Sequence, residues 1–281
     1  MIPHDFITEW RQSAPWVLDS QVEQDLVISR ALVELFRQQE IRDRTAFRGG
    51  TALYKLHLPP ARYSEDIDLV QVAAGPIGPL ISAARAALDG WLGPPKRDFK
   101  EGRIVLQYRI QSQDSPPLPL RLKVEINSRE HFCVLGLQRR RYAIESRWYT
   151  GSADITTYAL DELLGTKLRA LYQRRKGRDL FDLWAAFQTA RFDPASVVRC
   201  FAEYVAHDGL AISRAEFEQN LHEKQSNPKF RSDVEPLLMQ GAAWDCDAAA
   251  ALVSSSLLAR LPGEPWKGSG PDTGLTGEGV R

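Results

Sequence analysis

A glycine turn followed by two aspartates one residue apart is the feature that most constrains this chain. The turn is Gly49-Gly50-Thr51, and Asp66 and Asp68 come next in a strand-like segment. Paired glycines let the backbone turn sharply and approach a ligand closely. Thr51 is predicted to cap the following helix, whose free N–H groups and dipole favour a phosphate. In a strand, the two aspartates would point to the same face.

Two carboxylates on one strand face repel each other, so the pattern indicates a cation between them. Mg²⁺ is the expected ion, because it takes hard oxygen ligands and shares its coordination shell with substrate phosphates. Taken alone, a Gly-Gly-Thr segment is usually only a turn, and an Asp-x-Asp segment is often a solvated strand end. Their combination in this order, with Arg62 just before the aspartates, favours a metal-dependent nucleotide site.

These segments resemble the nucleotidyltransferase signature of AbiEii/AbiGii-type toxins, which include the mycobacterial MenT-type toxins and belong to the DNA polymerase β-like nucleotidyltransferase superfamily. Lys167, followed by the Arg-Asp-Leu-Phe-Asp-Leu segment 178–183, is similar to the family's second motif, Lys…Arg-Asp-x-x-Asp-Leu. The resemblance implies an α+β fold: a polymerase β-like mixed sheet with flanking helices, then a helical C-terminal part. It also implies transfer of a nucleoside monophosphate from an NTP.

The resemblance also implies roles for individual residues. In the family the lysine contacts nucleotide phosphate, and the first aspartate of the second motif supports it or the reacting group; here these are Lys167 and Asp179. A third carboxylate comes from the strand beside the Asp-x-Asp strand, which Glu125 matches in the alternating segment 120–127. From the residues alone, Glu125 can equally pair with Lys123 or Arg121. Lys167 can reach water from the edge of an apolar helix stripe, and Asp179 can cap a helix.

The predicted site residues fall into three groups. The predicted catalytic residues are Asp66, Asp68, Lys167 and Asp179; the predicted nucleotide-binding residues are Gly49, Gly50, Thr51, Arg62 and Lys167; the predicted metal ligands are Asp66, Asp68 and Glu125.

The length of 281 residues fits one large domain or two small ones. We expect a nucleotidyltransferase domain over residues 1–150, a helical domain over 151–261 and a disordered Gly- and Pro-rich tail over 262–281. No apolar run approaches the length of a membrane span, and the first residues lack the pattern of a signal peptide. The three cysteines are far apart and are expected to be free thiols. A cytoplasmic protein without membrane contact is therefore expected.

Charge is unevenly distributed although the formal net charge is zero. Residues 96–178 contain 18 Lys and Arg against 9 Asp and Glu, and such a basic middle attracts polyanions. Within it, Gln138-Arg139-Arg140-Arg141 lies close to aromatic residues, a pattern that suits RNA through phosphate pairing and base stacking. The alternative is a solvated loop over packed rings.

We therefore expect a toxin of a toxin–antitoxin system. It would use Mg²⁺, with Mn²⁺ as an alternative ion, to transfer NMP from an NTP to an acceptor hydroxyl. Some relatives add nucleotides to the 3′ end of tRNA, which arrests growth, so tRNA is the expected acceptor. A cognate antitoxin encoded nearby is the expected protein partner. The alternatives are a protein or small-molecule acceptor, a metal-dependent glycosyltransferase, and a non-catalytic module that binds RNA or protein.

Overall fold

Hydrophobic alternation along the chain builds one mixed sheet. The computed structural model describes residues 2–114 and 116–268. Within them, seven strands lie in the order β3-β4-β5-β2-β1-β7-β6. The strands are β1 (Thr45–Arg48), β2 (Asp66–Gln71), β3 (Lys96–Lys100), β4 (Arg103–Gln111), β5 (Pro119–Asn127), β6 (Leu137–Glu145) and β7 (Thr150–Tyr158). β2 is parallel to β5 and β1 is parallel to β7, whereas the other neighbours are antiparallel.

Eleven α-helices surround the sheet in the described part of the chain. They are α1 (His4–Trp10), α2 (Asp19–Arg37), α3 (Gln39–Arg44), α4 (Gly49–Leu56), α5 (Gly78–Leu92), α6 (Leu160–Gln173), α7 (Gly177–Thr189), α8 (Pro194–His207), α9 (Arg214–Gln225), α10 (Pro228–Ser232) and α11 (Cys246–Ser256). Short 3₁₀ turns cover Glu235–Leu237 and Leu258–Arg260. None of these helices is long and apolar enough to cross a membrane.

One face of the sheet is buried under α1, α2 and α5. Ile67 and Leu69 of β2 point into this core, as do Leu106 of β4 and Val124 and Ile126 of β5. Because side chains alternate along a strand, Asp66 and Asp68 point to the opposite face. The apolar pattern of β2 thus fixes which way its two carboxylates point.

The C-terminal helices form a second core that includes part of α4. Leu53 and Tyr54 of α4 pack in the same cluster as Leu168 of α6 and Phe201 of α8. The main chain near the 3₁₀ turn 235–237 also bonds to the segment before β2, with Tyr63 N donating to Leu237 O at 2.7 Å. The helical part is therefore attached directly beside the glycine turn.

The α+β architecture confirms the expected fold, with a mixed sheet, flanking helices and a helical C-terminal part. The predicted boundary at residue 150 falls on the first residue of β7, so this strand completes the sheet from the helical side of that boundary. Residues 269–281 of the predicted tail lie outside the described residues. Just before them, Trp266 N donates to Glu218 Oε2 of α9 at 2.8 Å.

Close packing of α6 on α8 requires Gly165. A Cβ at this position would lie 2.6 Å from Cys200 Cβ and 3.0 Å from Val197 O. We expect Gly165→Ala to lower the free energy of unfolding by about 1–3 kcal/mol, because the helices must separate. Gly90→Ala is the matched control: a Cβ there would have no heavy atom within 4 Å, so it should stabilise α5 by up to ~1 kcal/mol. Urea unfolding compares the two variants, and equal effects would contradict the packing argument.

Candidate active site

Strand register brings the predicted carboxylates together on one face. In the parallel β2–β5 pair, Asp68 lies opposite Glu125 and Asp66 lies opposite Lys123. In the β1–β2 pair, Arg48 lies opposite Asp68. Directly opposed residues share a face of the sheet, so three carboxylates, Lys123 and Arg48 form one charged row across adjacent strands. The structure therefore places Glu125 beside the Asp-x-Asp strand, as the sequence predicted.

Lys123 inserts its ammonium group between two of these carboxylates. Its Nζ lies 3.0 Å from Glu125 Oε2 and 3.6 Å from Asp66 Oδ2. Arg103 Nη1 of β4 adds a second cation 3.6 Å from Glu125 Oε2. The pairing of Glu125 with Lys123, which the sequence left open, is thus present.

Asp68 carries the least compensated charge of the row. Burial, reinforced by the neighbouring carboxylates of Asp66 and Glu125, raises the pKa of Asp68 to about 6, against the opposing effect of Lys123 and Arg48. Burial also raises the pKa of Asp66. A raised carboxyl pKa means that the surroundings disfavour the negative charge, and an added cation would relieve this.

The glycine turn closes tightly over Asp68. Gly49 has φ +85°, and a Cβ there would lie 2.4 Å from Asp68 Oδ2. Helix α4 begins at Gly49, so its N-terminal backbone lies against the carboxylate. A Cβ on Gly50 would lie 2.6 Å from Arg62 Nη2. Both glycines are required by close approach, and Gly49 also by its backbone conformation.

The predicted capping role of Thr51 is wrong. The N-cap of α4 is Arg48, and no side chain caps this helix. Thr51 lies inside the first turn and is buried, and its Oγ1 donates to Asp66 O at 2.6 Å, with Ser64 Oγ at 2.9 Å. Its hydroxyl therefore fastens α4 to the start of β2.

A buried ion network forms the opposite wall, where α6 and α7 meet the segment before β2. Asp182 accepts hydrogen bonds from Arg62 Nε at 2.6 Å and Arg62 Nη2 at 2.7 Å. Lys167 Nζ lies 2.7 Å from Asp182 Oδ2 and 3.5 Å from Asp179 Oδ1. Arg174 reaches Asp179 through Nε at 2.6 Å and Nη2 at 2.7 Å. Three cations thus surround two carboxylates and leave one positive charge in excess.

The contacts of this network differ from the roles predicted from the sequence. Arg62 is 3% exposed, and each nitrogen of its guanidinium donates one hydrogen bond. It lines the 160 Å³ cavity from a largely buried position. Asp179 does not cap α7, whose N-cap is Lys176; it binds Arg174 instead. Neither Arg174 nor Asp182 was among the predicted site residues. The Arg-Asp-x-x-Asp-Leu motif contained a signal for Asp182, whereas Arg174 had no distinguishing pattern.

A cleft separates the carboxylate row from this wall. Two adjoining cavities, of 270 and 160 Å³, share Gly49, Asp68, Lys167 and Arg174 in their linings. Glu125 lines the first cavity and Asp66 the second. The cleft is therefore negative on the sheet side and positive on the α6 side, with the α4 N-terminus between them.

The carboxylates do not form a preassembled ion cage. In residues 2–114 and 116–268, no group of three or more His, Cys, Asp or Glu side chains converges closely enough to hold one metal ion. The ammonium of Lys123 lies between Asp66 and Glu125 and offsets part of their charge. Carboxylate oxygens are nevertheless the ligand type that a hard divalent cation takes.

The basic segment 138–141 lies elsewhere. It belongs to β6, the edge strand at the end of the sheet opposite to β3, and is not a loop. Arg139 pairs with Asp43 at 3.0 Å, Arg140 donates to Leu56 O at 2.8 Å, and Arg141 reaches Asp154 at 3.3 Å. These arginines are occupied by contacts within the protein.

Comparison with known proteins agrees with this arrangement. The family profile described as nucleotidyl transferase AbiEii toxin, type IV toxin–antitoxin system, matches residues 30–252. The chain belongs to this family. It is thus a nucleotidyltransferase toxin, and the family implies a nucleotide substrate and a cognate antitoxin. Nucleotidyltransferases generally use NTPs and divalent metal ions.

Solved structures show the same fold. The nucleotidyltransferase toxin MenT4 from Mycobacterium tuberculosis has a TM-score of 0.69 at 18% identity, covering 93% of this chain and 91% of that chain. A Helicobacter pylori protein assigned as a nucleotidyltransferase has a TM-score of 0.52 at 16% identity, covering 85% of this chain and 94% of that chain. No curated protein matches the sequence.

Because its pKa is raised, the ionised side chain of Asp68 lowers the free energy of unfolding of the protein without metal. With a folded pKa of about 6 against an ordinary value of 3.8, the folded state binds the proton more tightly. The contribution of Asp68 to stability therefore falls as pH rises from about 4 to 6, and stays unfavourable above that window. We expect Asp68→Asn to raise the free energy of unfolding at pH 7.5 by about 1–3 kcal/mol.

Urea unfolding in EDTA at pH 7.5 and pH 4 measures this effect. The gain should shrink at pH 4, where Asp68 is largely protonated in the folded wild type. Asp98→Asn, which removes an exposed carboxylate of β3, is the matched control and should change stability little at either pH. A loss of stability in Asp68→Asn at pH 7.5 would contradict the argument.

Proposed function

We propose that this toxin uses a divalent cation, Mg²⁺ with Mn²⁺ as an alternative, to transfer NMP from an NTP to the 3′ end of tRNA in the cytoplasm. Blocking that end would inhibit translation and growth. The observation that carries the proposal is the cleft in which Asp66 and Asp68 face the α4 turn on one side and the cations Lys167 and Arg174 on the other. This arrangement matches a metal-bound triphosphate in charge.

We assign the metal to Asp66, Asp68 and Glu125. Their oxygens suit a hard cation, and the position of Lys123 between Asp66 and Glu125 supports a site that attracts positive charge. When bound, the ion would neutralise charge on the triphosphate and favour attack at the α-phosphorus. Lys123 would have to yield its place to the ion.

The chain's own groups position the triphosphate. Gly49 and Gly50 are the first residues of α4. Their N–H groups would donate hydrogen bonds to phosphate oxygens. Lys167 and Arg174 line the cleft from α6 and its C-terminal end, and would contact phosphate from the opposite side. Thr51 contributes through its backbone, because its hydroxyl is already bonded to Asp66 O.

Three further residues act through these groups. Asp179 and Asp182 orient Arg174 and Lys167 as positioning residues. Of the two roles that the resemblance implies for Asp179, support of the lysine or of the reacting group, the proposal keeps the first. Arg62 neutralises Asp182 from behind. The predicted phosphate contact of Arg62 is not part of the proposal, because its guanidinium is buried and already paired with Asp182.

The proposed reaction is an in-line displacement. The acceptor oxygen forms a bond to the α-phosphorus, the bond from that phosphorus to the bridging oxygen of the β-phosphate breaks, and pyrophosphate leaves. A carboxylate of β2 accepts the proton of the acceptor hydroxyl.

Incubation of the protein with each labelled NTP, total tRNA and Mg²⁺ tests the activity and the acceptor together. We expect label in tRNA, and a decrease of roughly 100-fold or more in Asp68→Asn, because an ion ligand is lost. Glu203→Gln, at an exposed residue of α8, should retain full activity. Label that enters protein, or a small molecule, but not tRNA would overturn the assigned acceptor. Absence of NTP turnover together with hydrolysis of a nucleotide sugar would overturn the assigned activity.

Lys123 predicts a measurable effect on metal affinity. Lys123→Met removes the competing cation, so Mn²⁺ should bind about 5- to 10-fold more tightly, on the order of 1 kcal/mol. Electron paramagnetic resonance of free Mn²⁺ measures the dissociation constant without catalysis. Lys96→Met, which removes an exposed cation of β3, is the matched control. Equal or weaker Mn²⁺ binding in Lys123→Met would contradict the argument that the Lys123 ammonium competes with the ion.

A further inference from the structure

We propose that the exposed face of β3, β4 and β5 is the docking surface for the acceptor RNA. This inference rests on the proposed function and adds the part of the protein that holds the substrate. The surface, termed the basic sheet face, consists of Lys96, Lys100, Arg103, Arg109, Arg121 and Lys123.

Strand register places these six cations on one side of the sheet, with the carboxylate of Asp98 between Lys96 and Lys100. Lys96 lies opposite Gln107, which lies opposite Lys123, and Lys100 lies opposite Arg103. Residues at alternate positions of one strand share a face, so Arg109 and Arg121 lie on this side as well. It is the same side as the carboxylate row of the active site.

Two of these arginines lie side by side, where their like charges repel each other. Arg109 and Arg121 lie directly opposite each other in the β4–β5 pair, where like charges destabilise a sheet. Both residues are exposed. Within the described residues neither guanidinium has a carboxylate oxygen within 4.0 Å. An anion that bridges them would remove the repulsion.

The basic sheet face leads directly to the reacting groups. Lys123 lies opposite Asp66 and 3.6 Å from its carboxylate. Arg121 is two residues earlier in β5, on the order of 7 Å away, and Arg109 is its neighbour across the strand pair. The cations therefore continue outward from the cleft along the sheet. A chain of phosphates is the ligand whose charges repeat over such a distance.

The β6 segment with three arginines is the competing surface, and the contacts argue against it. Its arginines pair with Asp43 and Asp154 or donate to Leu56 O. From β5 to β6 there are four strand spacings, or about 19 Å, and β6 lies beyond β1 and β7. The surface that the sequence pattern favoured for RNA is thus both occupied and remote from the carboxylates.

Fluorescence anisotropy of labelled tRNA at several salt concentrations tests the surface. Arg109→Ala/Arg121→Ala should raise the dissociation constant roughly 10-fold and lower the salt slope by about 1–2, because phosphate contacts are lost. Arg139→Ala/Arg141→Ala removes the same charge from β6 and should leave binding unchanged. Mn²⁺ affinity and thermal unfolding should remain as in wild type for the first variant, since removing a repulsive pair does not weaken the fold.

The outcomes separate this inference from the proposed function. If wild type labels tRNA but Arg109→Ala/Arg121→Ala binds it as tightly as wild type, only the surface is overturned. Weaker binding in the β6 variant alone would assign the RNA to β6 and also overturn the inference. If the variant loses binding of poly-glutamate but keeps binding of tRNA, the face serves an acidic protein instead. If wild type transfers NMP only to protein and does not bind tRNA, both the acceptor and the surface are wrong.

Discussion

The buried carboxylate of Asp182 is the interaction on which the site depends. It receives Arg62 from the segment before β2, Lys167 from α6 and the hydroxyl of Tyr54 from α4 at 2.8 Å. One side chain of α7 therefore fixes the glycine-turn helix, the approach to the Asp-x-Asp strand and the cationic wall relative to each other. Strong pairing holds the pKa of Asp182 well below its usual range. Removing one partner of such a buried pair generally costs about 3–5 kcal/mol of stability, so Asp182 holds these elements together strongly.

Across the cleft the balance of charge is reversed. The sheet side gathers Asp66, Asp68 and Glu125, whose mutual repulsion is only partly offset by Lys123. The helix side carries one positive charge in excess. Nothing in the packing of the sheet requires three carboxylates in this row, because the apolar core lies on the other face. Such local conflict within an otherwise consistent fold is typical of a functional site.

Short-range patterns predicted much of this arrangement. The alternation in β2 and β5 was sufficient to point Asp68 and Glu125 outward. The motif with Lys167 and Asp179 located the opposite wall. The failures concern partners chosen over long range. Thr51 and Asp179 each had a plausible capping role within their own helix, but tertiary contacts to Asp66 O and Arg174 prevailed. Arg62 looked available for phosphate, and only the fold shows that α7 supplies its partner, 120 residues later. The segment 138–141 looked like a free basic loop because its acceptors, such as Asp43 and Asp154, come from other elements.

The position of Lys123 has a consequence for the order in which substrates assemble. Its ammonium belongs to two surfaces at once, the carboxylate row and the basic sheet face. A divalent ion that took its place would release this ammonium toward the strand faces that carry Arg109 and Arg121, and so add one cation to them. Occupancy of the ion site and affinity for a polyanion would then be thermodynamically coupled, each strengthening the other to the same extent. A toxin built in this way would hold its acceptor most firmly after the nucleotide and its metal ion have arrived.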